Sequence, residues 1–256
     1  MVMAIRVFSV EEQGTGAFDG GKFVEQRAIS FPGEKTAVDR VGPLFYWAWG
    51  KASDVSEIGM HPHKAFEIVT YVIDGLVEHR DSLGSLETVT NGGAQVIQAG
   101  SGVYHAEAFR RAGSEAMQIW FEPHLSQSGK KPATYRQYNH EELPTAQVDG
   151  VTATTVIGSH SPIVIDADVR LYDWDLAAGA NYSYSLQAGR SLAFLVIRGS
   201  GTMTGDEEAV LSHKDFVVTE ASAEATPLVF QAAAEQALRL IAIDVPTDPG
   251  YPLYRK

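Results

Sequence analysis

The sequence predicts an all-β protein built as two similar barrels in tandem. Three observations carry that reading. Short β-prone segments recur roughly every eight to twelve residues, divided by glycine turns, as in sandwiches and barrels. Neither half contains a long amphipathic helical stretch. An internal repeat relates the halves: Thr70–Gly75 can be laid over Phe194–Gly199, each an apolar strand that ends in a charged residue and a glycine.

The elements follow in order. Ile5–Val10 alternates as a half-buried strand does, and the chain then turns through Gly14, Gly16, Gly20 and Gly21. Phe23–Ile29 is a second strand. Leu44–Trp49 is short and aromatic and reads as a buried strand of plain core, the alternative being that Phe45 or Trp47 lines a pocket. From Phe66 the strands crowd together. Phe66–Ile73 runs into Asp74-Gly75, a strong hairpin signal, and Leu76–Arg80 returns. Thr88–Thr90 meets Asn91-Gly92-Gly93, Ala94–Gln98 leads through Gly100 and Gly102 to His105, and Met117–Phe121 closes the block. Residues 125–148 lose this rhythm, carry Pro132 and Pro144, and read as a linker with a turn of helix near Glu141-Glu142. Val169–Leu176, Tyr182–Leu186, Ala193–Ile197, Phe216–Val218 and Leu238–Ile243 form the second block. The expected domains are therefore 1–124 and 149–256, joined by 125–148.

Composition narrows the function. A chain of 256 residues, 45% apolar and 20% charged, can bury a sizeable core. Twenty basic against 32 acidic residues give a net charge of −12, which argues against nucleic-acid or anionic-membrane surfaces. With no cysteine there is no disulfide, thiolate site or cysteine nucleophile. The N-terminus lacks the apolar core of a signal peptide, and no apolar run approaches a membrane span, so a soluble, cytoplasmic protein is expected.

The chemistry concentrates in two short stretches. His61-Pro62-His63 is answered about forty residues later by His105-Ala106-Glu107. Residues i and i+2 of a strand share a face, so each pair offers two ligands to one side. Three imidazoles and a carboxylate suit Fe, Zn, Mn, Ni or Cu, and room beyond tetrahedral coordination favours one octahedral Fe(II). Glu67 is a rival to Glu107, because it shares the His61/His63 face if that strand runs unbroken. Glu107, ligand and nearest carboxylate, is also the candidate proton acceptor. Pro62 withholds an N–H and suits a sheet rim. His79, His124, His140 and His160 stand alone. In the repeat, counting back from the glycine without gaps sets Ser185 and Gln187 where His61 and His63 stand, and Ser191 where Glu67 stands. Only the first barrel is then equipped for a metal.

His61–Val72, the run Gly75 to Ser82 and Ala99–Glu107 together resemble the pirin family of the cupin superfamily. The match is specific over about residues 59–122 and looser beyond. The family's H-P-H-R-G-F-E reads H-P-H-K-A-F-E here, and its leucine-rich segment is replaced by the aromatic Leu44–Trp49 run. The resemblance implies two cupin (double-stranded β-helix, or jelly-roll) barrels, with Fe(II) in the first on His61, His63, His105 and Glu107 and no metal in the second. It implies a quercetin 2,3-dioxygenase that opens a flavonol with O2 and releases carbon monoxide. The small aromatic substrate and O2 would be its partners, and a monomer is expected. Other pirins resemble regulators that bind a transcription factor or metabolic enzyme, which is the alternative reading. A cupin isomerase or sugar-binding protein is a third.

Overall fold

The computed structural model describes residues 5–221 and 223–256. Its regular structure is almost entirely strand, interrupted by one four-residue α-helix, Leu125–Ser128, and short 3-10 turns. Among the described residues no helix is long and apolar enough to cross a membrane. The architecture is the all-β bicupin, in two contact units.

One unit holds Gln13–Leu143, Ile163–Ala167 and Tyr251–Lys256. Its larger sheet has seven strands, in the order Thr134–Tyr138, Ala94–Gln98, Glu67–Asp74, Glu115–Phe121, Leu44–Ala52, Phe23–Ile29 and Gly14–Phe18. Its smaller sheet has four, in the order Ser56–His63, Val103–Phe109, Leu76–Asp81 and Leu86–Thr90. The β-branched and aromatic Glu67–Asp74 strand is buried along nearly its whole length, as a central strand requires. Gly75, at φ 96°, makes the turn that follows.

The other unit holds the residues up to Glu12, Pro144–Pro162 and Asp168–Gly250. It repeats the plan, with seven strands centred on Arg190–Gly199 and Leu238–Pro246 and four in the order Asn181–Leu186, Thr226–Ala232, Gly201–Thr204 and Glu208–Leu211. Ile5–Phe8 pairs antiparallel with Phe216–Glu220 and so edges this sheet. The units therefore draw on both ends of the chain, unlike a simple sequential division.

Two local expectations change. Gly14 and Gly16 lie in a strand, not in a turn; a Cβ on Gly16 would collide with the Arg27 guanidinium that crosses it. The segment 125–148 is likewise structured. Thr134–Tyr138 pairs with Ala94–Gln98, and Thr145–Val148 pairs with Val151–Ile157. A capping box between Asn139 and Glu142 holds the 3-10 turn at His140–Glu142, where a helical turn was expected.

The repeat also shifts by one residue. The register of the four-stranded sheets sets His63 opposite Val103 and His61 opposite His105, against Leu186 opposite Thr226 and Tyr184 opposite Leu228. The second barrel thus has Tyr184 and Leu186 at the histidine positions, with Leu228 and Phe230 for His105 and Glu107. Ser185 is exposed on the outer face, because a slip of one residue inverts a strand. Trp174, Phe194, Phe230 and their neighbours fill that interior with apolar side chains.

Candidate metal centre

The Ser56–His63 and Val103–Phe109 strands are antiparallel neighbours, and their register sets His61 directly across from His105. Three imidazoles thereby meet on one side of the small sheet, with ring centroids 4.4 to 4.7 Å apart. One nitrogen from each of His61, His63 and His105 lies within 4.8 Å of the other two, so the group can hold a metal ion. His63 Nε2 is 2.8 Å from His105 Nε2. Burial, reinforced by the neighbouring imidazoles, pushes both rings down to about 3, so at neutral pH each is an uncharged lone-pair donor. That donor chemistry fits a divalent transition metal.

Local features fix which nitrogen is offered. Pairing of the two strands shifts between His105 and Glu107, and the extra residue lies at Gly59–Met60. The Gly59 carbonyl accepts from His61 Nδ1 at 2.8 Å, which leaves His61 Nε2 free. Pro62 is tolerated because Ser56–His63 is an edge strand of its sheet.

Glu107 is buried and lines the same cavity as His61 and His63. Its Oε1 accepts from Thr70 Oγ1 at 2.8 Å and its Oε2 from Gln118 Nε2 at 2.6 Å. The three-nitrogen group does not include it. Glu67 is in neither place. The strand breaks after His63, and Ala65 turns the chain at φ 68° into the other sheet. Glu67 there accepts from Gln98 Nε2 at 2.7 Å and from the backbone N–H groups of Asp166 and Ala167 at 2.6 and 2.9 Å. It anchors the Ile163–Ala167 segment and is not a rival ligand.

The Pirin family profile matches residues 38–121, a span that contains all three histidines and Glu107. A quercetin 2,3-dioxygenase of Escherichia coli K12 is 30% identical over 172 residues, covering 61% of this chain and 71% of the relative. The chain belongs to the pirin family. Solved pirin-type structures share its fold: bacterial pirin YhhW of E. coli in complex with nickel(II) superposes with a TM-score of 0.75 at 23% identity, covering 95% of this chain and 99% of that one. A quercetin 2,3-dioxygenase from Acinetobacter baumannii gives 0.79 at 20% identity, covering 98% and 82%.

Behind the histidines, this pirin carries a relay in which His79 is not the isolated residue expected. Asp81 Oδ2 is 2.8 Å from His79 Nε2, and His79 Nδ1 is 3.4 Å from His105 Nδ1. Burial works to raise the Asp81 carboxyl, but hydrogen bonds from His79 and from the Ser85 and Leu83 backbone prevail and hold it low. An ionised Asp81 makes His79 Nε2 the donor. His79 Nδ1 can then accept from His105 Nδ1–H, and the His105 Nε2 lone pair faces the cluster. Tyr135 stacks on His79 at 3.9 Å and 5°, fixing its plane. Substitution of His79 by Ala is expected to weaken metal binding by about 10- to 100-fold, measured by competition with a chromophoric chelator. The i,i+2 spacing of His79 and Asp81 was visible in the sequence, and the ligand pairs share it.

A cavity of about 490 Å³ opens on the cluster in this pirin. Its wall includes Trp120 and Phe31, with Trp120 set edge-on against His63 at 4.7 Å and 89°. Tyr46, from the aromatic run, lines it, whereas Phe45 and Trp47 are buried as the core reading of that strand expects. Trp47 instead turns its indole N–H to Met117 Sδ at 3.4 Å. Glu25, which the sequence did not single out, lines it too.

Proposed function

We propose that this pirin is a metal-dependent dioxygenase that opens the heterocycle of a flavonol such as quercetin with O2 and releases carbon monoxide. The observation that carries the reading is a cavity of ligand size, about 490 Å³, bordered by His61, His63 and Glu107. A regulator with a sealed metal would have no use for such a space. The names of the quercetin dioxygenase relatives support oxidoreductase chemistry of this kind.

His61, His63, His105 and Glu107 are the proposed ligands, with Fe(II) the preferred metal. Bound there, the metal supplies Lewis-acid polarisation of a phenolic oxygen and electron exchange with O2. Trp120 and Phe31 offer flat apolar surface to a planar substrate. Glu107 takes the proton of the flavonol hydroxyl, and the donors Thr70 and Gln118 hold its carboxylate in place for that transfer. The second barrel serves as scaffold.

Substitution of Glu107 by Gln removes the proton acceptor at nearly constant volume. It is expected to lower O2-dependent turnover of quercetin, normalised to bound iron, by roughly 100-fold or more. Turnover per bound metal equal to that of the parent protein would refute the assignment.

A further inference from the structure

The cavity has a second polar wall that coordination chemistry does not explain. Glu25 lies on the Phe23–Ile29 strand, with its side chain only 3% exposed. Its Oε2 accepts from Arg27 Nε at 2.8 Å and from the Tyr46 hydroxyl at 3.1 Å. Arg27 also reaches Glu34 at 2.9 Å, so the guanidinium is held from both sides. Among the described residues Glu25 Oε1 has no hydrogen-bond partner, although the side chain borders the cavity. A buried carboxylate with one oxygen doubly satisfied and the other unused is a built acceptor awaiting a donor. Tyr46 stacks on Phe31 at 4.4 Å and 18°, so the acceptor adjoins flat aromatic surface.

We infer that Glu25 is a specificity-determining residue, whose free oxygen accepts a hydrogen bond from a phenolic hydroxyl on the pendant phenyl ring of the substrate. The inference rests on the oxygenase reading of the cavity and names the substrate class within it: planar polyphenols with a free hydroxyl on that ring. Burial pushes the Glu25 carboxyl up, with a smaller push from Glu107, against the opposing pull of Arg27 and the Tyr46 hydroxyl. Loss of a donor at such a site leaves a desolvated carboxylate oxygen unmatched, so methylating the hydroxyl should be costly.

The test is a switch of polarity. In Glu25→Gln, Arg27 and Tyr46 both donate, so they select the amide oxygen for the Oε2 position. The NH2 group then stands where Oε1 stood, and the acceptor becomes a donor. Dissociation constants for quercetin and for its 3′- and 4′-O-methyl ethers are to be measured by tryptophan fluorescence quenching on metal-free and Zn(II)-loaded protein. O2 uptake by the iron-loaded protein is recorded with the same compounds. The native protein is expected to prefer quercetin to at least one ether by about tenfold. In Glu25→Gln, with metal content unchanged, that preference is expected to disappear or reverse. A native ratio near one for both ethers overturns the inference without any variant, and so does a ratio that Glu25→Gln leaves intact. A preference that depends on Glu25 but comes with no O2 uptake at any iron loading upholds the inference and removes the oxygenase reading. Equal O2 uptake with all three compounds does the opposite.

Discussion

Replacement of His61 by Ala is expected to strip the protein of its metal without unfolding it. His61 is the partly exposed member of the group, whereas His63 and His105 are buried in the barrel wall, so its loss leaves the core packed. Two neutral imidazoles and a carboxylate then remain, and the bound metal should fall below roughly a tenth of an equivalent after dialysis. Quercetin-dependent O2 uptake should fall with it. Glu67→Gln is the contrasting case: its carboxylate lies with Gln98, Asp166 and Ala167, and metal content should not change. Elemental analysis of the two purified variants checks both statements.

The second large effect is acid lability of the metal-free protein. His63 and His105 are held at about 3 by burial and by the neighbouring imidazoles. In the unfolded chain each returns to about 6.5. The unfolded state therefore binds more protons in the interval between those values. The stability these rings contribute is fully present above about pH 6.5 and is lost as the pH falls towards 3. At pH 5 the loss is about 2 kcal/mol for each ring. Urea unfolding at pH 7.5 and pH 5 should show it, and His63→Leu/His105→Leu should flatten the dependence. Bound metal should oppose the effect, since it competes with protons for the same lone pairs.

Much of this was legible in the sequence, for reasons that can be located. The two-residue period of a strand placed His61 with His63 and His105 with Glu107 on shared faces, and glycine turns divided the strands. What failed was anything that needed the third dimension. Glu67 seemed a rival because nothing local announced that Ala65 would take a positive φ and send the next strand into another sheet. The ungapped repeat set Ser185 at the position of His61, and only strand register reveals the slip that puts Tyr184 there. Gly14 and Gly16 read as a turn because glycine does not declare whether it serves a bend or the close approach of Arg27. Glu25 and Tyr46 were silent because they come from different strands, and only the pairing of Phe23–Ile29 with Leu44–Ala52 in the large sheet brings them together.

The account depends on one stoichiometric redox-active metal on three histidines and Glu107. O2 uptake with quercetin, recorded as Fe(II) is titrated anaerobically into metal-free protein before exposure to air, tests that most directly. The rate should rise in proportion to added iron and level off at one equivalent per chain, with His61→Ala flat throughout. A rate that stays at background at every loading, or that persists in His61→Ala, would contradict it.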